Sequence, residues 1–300
     1  MIEEIITIRL ILGLYLFDVN FDIIKYINLL IVDKYSKGIL GGHIMIDSHI
    51  HTEFSDDSQM KIQDALEQSR RSGISMTFTE HLDLKFPSGE DIIFDIDKYF
   101  NSYEKYRSSK LMLGVEIGMQ QICLEENRKI EKEYPFDYVI GSIHVSMGED
   151  LYYPKFYEDK TKKEAFEKYF SSMIDNVKQY NFIDSLGHID YISRYATFSD
   201  NEIHYNEFDE YINEVLKAVV HNEKVMEINT RRLGNSEAYS NLINIYKAYN
   251  QIGGKYVTIG SDAHHADDIG KNFRSAIRIC EICNLRPVYF KKRKMEYMSV

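Results

Sequence analysis

Seven short apolar runs recur along this chain, and six of them lead straight into histidines or carboxylates. The first is Met45-Ile46-Asp47-Ser48-His49-Ile50-His51. Residues 75–79 lead into Glu80 and His81, residues 111–115 into Glu116, residues 138–143 into His144, and residues 182–187 into His188. The sixth run, 225–229, leads into Thr230-Arg231-Arg232 and so ends in cations. The seventh, 256–260, leads into Ser261-Asp262-Ala263-His264. Ligand-type side chains at the ends of buried strands are what a parallel β/α barrel needs to collect a metal cluster at one mouth. An enzyme is expected.

Helical patterns separate the runs. Ile62, Ala65, Leu66 and Ser69 share one helix face, and Gly73 fits as the stop. Ala165, Phe166, Tyr169, Phe170, Met173, Ile174 and Val177 repeat the stripe, as do Phe208, Ile212, Val215, Leu216 and Val219. Further helices are predicted over residues 97–106, 125–133, 237–250 and 268–283. Seven strand–helix alternations predict an α/β fold, a distorted parallel (β/α)7 barrel, spanning residues 45–300 as one domain. An open doubly wound sheet is the alternative, and no run is followed by the Gly-rich phosphate loop it would carry. Two connections, 82–95 and 145–161, are long for such a fold and would overhang the metal mouth. The second carries Tyr152, Tyr153, Phe156 and Tyr157, either as a lid over a flat substrate or as anchors of the loop.

Composition narrows the partners. A net charge of −11 argues against a nucleic-acid partner held on a broad basic surface, and an anionic substrate would need bound cations. Three cysteines give no disulfide framework, which points to a reducing cytoplasm. Cys280 and Cys283 fit one helix face as packing residues. Residues 1–44 are expected to form an amphipathic or poorly ordered extension outside the catalytic unit, with Met45 an alternative start. Their apolar stretches are interrupted by Arg9, Asp18, Asp22 and Lys25, short of the roughly 18–20 residues of a membrane span.

His49 and His51 alternate by two, so one strand face carries both. Imidazole with carboxylate suits zinc, iron or manganese better than calcium or magnesium. The whole series resembles the polymerase-and-histidinol-phosphatase (PHP) family, and within it the histidinol-phosphatase branch. That series is D-x-H-x-H at Asp47, then Glu80-His81, Glu116, His144, Gly187-His188-Ile189-Asp190 and Gly260-Ser261-Asp262-Ala263-His264. The likeness covers about residues 45–287. It implies two or three divalent ions. His49, His51, Glu116 and Asp262 would hold the first, and Glu116 would bridge to a second on His144 and His188. A third would lie between His81, His264 and Asp57, where several relatives have histidine. Asp56 is the neighbouring candidate, and Glu80 need not be a ligand.

The resemblance further implies a small-molecule phosphomonoester, L-histidinol phosphate, hydrolysed to histidinol and phosphate. Water activated by clustered cations, its pKa lowered to about 7, would be the nucleophile. Arg194 and Arg231 would clamp the phosphate, with Arg232 as the substitute for Arg231. Asp262 or His264 would protonate the leaving group. The same site could serve a nucleotide or phosphotyrosine phosphatase, or a nuclease. A non-catalytic metal-binding domain is the reading from another class, and it fits poorly with so complete a ligand series.

Overall fold

The computed structural model describes residues 45–87, 89 and 91–299, so the expected extension over residues 1–44 lies outside the described residues. Strand β1 is Ile46–Ile50, β2 is Ser75–Asp83, and the short β3 is Ile92–Ile93. Then follow β4 (Leu111–Gly118), β5 (Val139–Ser142), and the hairpin of β6 (Val145–Ser146) and β7 (Glu149–Asp150). Next are β8 (Ser185–Leu186), β9 (Val225–Asn229) and β10 (Tyr256–Gly260). The chain closes with β11 (Arg286–Lys291) and β12 (Lys294–Tyr297). The large sheet runs β1-β2-β4-β5-β8-β9-β10-β11-β12, parallel at every step except the last, with β3 antiparallel on β2. The fold is α/β with a mostly parallel sheet.

The seven expected runs all supply strands of this sheet. Its first strand is also bonded to the chain just past β10: His51 N–H donates to Ala263 O (2.9 Å) and Asp262 N–H to His49 O (2.8 Å). Both faces of β4 and β5 are buried, which is why their sequences read as largely apolar runs rather than alternating ones.

Helices fill the connections: α1 (Ile62–Ser72), α2 (Ile96–Tyr103), α3 (Leu124–Glu133) and α4 (Lys162–Gln179). They continue with α5 (Ile192–Tyr195), α6 (Tyr205–His221), α7 (Ser236–Ile252) and α8 (Phe273–Cys283). Gly73, at φ 75°, stops α1 as its pattern predicts. Thr161 and Glu164 form a capping box that starts α4. Among the described residues no helix is long and apolar enough to cross a membrane.

Several boundaries depart from expectation. Strand β2 extends to Asp83 and β4 to Gly118, because each lies between partners that continue to pair, as in Leu82 with Ile117 and Gly118 with Ser142. Glu80, His81 and Glu116 therefore sit inside strands rather than past their ends. The last helix begins at Phe273, not residue 268, since Gly270 (φ 73°) and Asn272 (φ 59°) take left-handed conformations that interrupt it. The hairpin of β11 and β12 was not expected; Val288 and Phe290 pack there on Tyr138, Ile140 and Val225. In the long second connection the aromatics divide. Phe156 and Tyr157 are buried anchors, while Tyr152 and Tyr153 are each 55% exposed. Cys280 and Cys283 are buried on α8, as packing residues should be.

Candidate metal centre

All nine residues expected as ligands converge at the C-terminal ends of the parallel strands. The Nε2 atoms of His49 and His51 lie 3.0 Å apart. Asp262 Oδ1 is 3.9 Å from the first and 3.5 Å from the second. Glu116 stands at the middle, fully buried on β4. Its Oε1 is 2.9 Å from His188 Nε2 and 3.3 Å from His144 Nε2. Its Oε2 is 2.9 Å from His81 Nδ1. Asp57 Oδ2 lies 3.0 Å from His264 Nε2 and 3.4 Å from His81 Nε2, so Asp57, rather than Asp56, faces the cluster. Possible ligand sets include His49 with His51 and Glu116, Glu116 with His144 and His188, and His51 with His81 and His264.

The arrangement suits cations. Nitrogens of His49, His51 and His81 lie 3.3, 3.5 and 2.9 Å from Glu116 Oε2, yet none is aligned as a hydrogen-bond donor to it. Ligand-type atoms of three histidines crowded around a buried carboxylate oxygen that none of them hydrogen bonds are a ligand set for a divalent ion. Charge without metal is shared within the cluster. Burial disfavours the Glu116 carboxylate, but His49, His144 and His81 outweigh it and hold the group well below its usual range. Burial likewise opposes protonation of His144, and Asp83 and Glu116 overcome it. Burial, with His81 and His264 beside it, pushes His51 the other way, well below the ordinary imidazole value.

Two cationic side chains flank Asp262. Arg194 Nη1, on α5, donates to Asp262 Oδ2 at 2.5 Å, while its buried Nε and Nη2 have no partner. Arg231 Nη1 is 3.5 Å from Asp262 Oδ1 and 3.5 Å from His264 Nδ1. Arg232 turns away to Asp190 (3.1 Å) and Glu202, which settles which of the neighbouring arginines faces the cluster. The Tyr191 ring lies tilted beside His144 and His188, with centroids 4.9 Å from each.

Sequence reasoning assigns no role to three buried carboxylates here. Asp47 accepts from Ser261 N (2.8 Å), Gly270 N (2.8 Å) and His49 N (3.3 Å), tying β1 to the segment after β10. Burial is the main reason its carboxyl is pushed up to about 6. Asp83 lies 2.9 Å from His144 Nδ1, and Glu227 lies 2.7 Å from His49 Nδ1. Both left a signal. Asp83 follows His81 by two, on the same face of a strand longer than its apolar run, and Glu227 is an acid within an otherwise apolar strand. Glu80 is no member of the cluster's inner set: it accepts from Thr52 N (2.9 Å) and Ser55 Oγ (2.7 Å), bracing the turn after β1.

The PHP domain family profile matches residues 47–231. A probable histidinol-phosphatase from Clostridium acetobutylicum is 51% identical over 85% of this chain and 100% of its own length. The histidinol-phosphatase of Lactococcus lactis is 32% identical, covering 74% of this chain and 84% of its own. Among solved structures, histidinol phosphate phosphatase from L. lactis, complexed with zinc, L-histidinol and phosphate, superposes with a TM-score of 0.80. That match is 28% identical and covers 84% of this chain and 98% of the other.

Proposed function

The chain belongs to the PHP domain family, and on that premise we propose that it hydrolyses L-histidinol phosphate to L-histidinol and phosphate. The observation that carries the reading is the packing of six histidines and two further carboxylates around Glu116, beside an arginine with two unused buried donors. The catalytic unit would be residues 45–300, a distorted (β/α)7 barrel closed through the bonds between β1 and the segment after β10. Supporting this, the ligands come from six different strands and the connections after them, as barrel sites do.

Two or three divalent ions, with zinc, manganese or iron the fitting types, would be held by His49, His51, Glu116 and Asp262; by Glu116, His144 and His188; and by His81, His264 and Asp57. When bound, such ions supply Lewis acidity toward phosphate and water. The protein's own groups do the rest. Arg194, already oriented by Asp262, offers Nε and Nη2 to two phosphate oxygens as a planar fork. Arg231, 45% exposed at the rim, closes on the phosphate from the solvent side. Asp262, held by Arg194 at Oδ2, or His264, whose Nδ1 lies 3.0 Å from Asp262 O, would hand a proton to the departing alkoxide.

The test is a phosphatase assay on metal-stripped and reloaded protein, with histidinol phosphate set against nucleoside monophosphates and phosphotyrosine. The expected result is activity abolished by chelation, restored by zinc, manganese or iron, and a preference of about a hundredfold or more in kcat/KM for histidinol phosphate. Equal turnover of all three ester classes would reject the substrate, and undiminished turnover in the stripped protein would reject the mechanism.

A further inference from the structure

We infer that Glu227 is a positioning residue that sets the orientation of two ligand-bearing strands at once. The inference rests on the metal-binding reading of His49 and His188 given above. Glu227 is fully buried on β9, the one strand of the seven whose run ends in cations. Its Oε1 is 2.7 Å from His49 Nδ1, and its Oε2 accepts the backbone N–H of His188 at 2.8 Å. Asn229 Nδ2 adds a contact to Oε2 at 3.3 Å. Both oxygens are thus engaged, and they lie behind the imidazole: the forward atom, His49 Nε2, is the one beside His51, Glu116 and Asp262.

A carboxylate can only accept, so the pair requires the proton on His49 Nδ1 and leaves the Nε2 lone pair facing the cluster. The same anion makes the ring a stronger donor toward a cation. Holding the His188 amide with its other oxygen, Glu227 links the end of β1 to the end of β8. The sheet makes room for it. A Cβ at Gly260 would stand 2.3 Å from Glu227 Oε1 and 2.4 Å from His49 Cβ, so the glycine on β10 is what admits the carboxylate. Asp83 repeats the arrangement behind His144, whose Nδ1 it meets at 2.9 Å. Backing the ring nitrogen that faces away from the cluster is therefore a feature of this site and not an accident of one pair.

The experiment measures zinc affinity by competition against a chromophoric chelator, in wild type, E227Q and D184N. Asp184 is a control of similar burial at the other end of β8, bonded to Val139 N (2.8 Å) and Arg293 Nε (2.7 Å). E227Q is expected to weaken the tightest zinc by about 10–100-fold, while kcat at saturating zinc recovers toward wild type. D184N is expected to lower the melting temperature of the metal-free protein and leave zinc affinity unchanged. Wild-type affinity in E227Q would overturn the inference, as would an equal loss in D184N, which would mark general destabilisation. Should E227Q not fold, imidazole 15N spectra of zinc-loaded wild type decide: zinc on His49 Nε2 with a proton on Nδ1 is expected, and zinc on Nδ1 refutes it. A wild-type chain that binds no zinc defeats the functional proposal itself. Tight wild-type binding with an unaffected E227Q defeats only the role of Glu227.

Discussion

Replacing Gly118 by alanine tests whether the space beneath the cluster is as full as the structure says. A Cβ at position 118 would lie 1.8 Å from Asp83 Oδ1 and 2.6 Å from its Cγ, far inside contact distance. The Asp83 carboxylate would have to turn away, losing its approaches to His144 Nδ1 at 2.9 and 3.2 Å. Overpacking of this kind costs about 1–3 kcal/mol. Loss of a hydrogen bond to a charged group adds roughly 1.5–3 kcal/mol, because burial opposes protonation of the His144 ring while Asp83 and Glu116 favour it. The two effects share one side chain and do not add fully, so about 3–5 kcal/mol is expected. For a domain of this size that corresponds to a fall of about 6–20 °C in Tm, read by circular dichroism on metal-free protein. Zinc affinity should also fall by about 10–100-fold as His144 loses its backing. Gly234→Ala is the control, since its Cβ would meet nothing closer than 3.7 Å. A Tm loss in G118A no larger than that of the control, with zinc affinity intact, would refute the argument.

Two other predictions concern the arginines and the thiols. Arg231→Ala is expected to raise KM for the phosphate ester by about tenfold with Tm unchanged, because the side chain is half exposed and its neighbours keep other partners. Arg194→Lys is expected to lower kcat/KM by about a hundredfold or more, since a point charge cannot hold Asp262 and two phosphate oxygens together; wild-type kinetics in either variant would sink the clamp. Burial pushes Cys123 up to about 11 and, with Cys283 beside it, Cys280 up to about 12. At pH 8 the thiolate fraction of Cys123 is then on the order of one in a thousand, so native protein should react with a thiol reagent far more slowly than unfolded protein. The sign for stability follows: with folded values above unfolded ones, the contribution is complete below about pH 9 and is lost as pH rises toward 12. Fast native labelling of all three thiols would contradict the burial.

Much of the site was legible because its ligands lie at strand ends, where an apolar run gives way to a polar group. His49, His144, His188 and Asp262 could each be read that way, one run at a time. What could not be read were groups whose meaning depends on a neighbour from another strand. Arg231 and Arg232 are equivalent on paper, and only the acids Asp190 and Glu202, brought up by other segments, remove Arg232 from the cluster. The loop aromatics pose the same problem, with Phe156 and Tyr157 inside and Tyr152 and Tyr153 outside.

The order of apolar runs and ligand-type residues along the chain by itself determined the parallel α/β plan, because burial on both faces leaves a continuous hydrophobic signal that polar groups interrupt only for cause, while the ligand set followed from the resemblance of that series to a known family and left Asp56 and Asp57 undivided. Tertiary structure alone decided that Asp83 and Glu227 stand behind His144 and His49, and that Gly118 and Gly260 are bare to admit them. Those pairings join residues 61 and 178 positions apart, and a contact between strands leaves no periodic trace within either one.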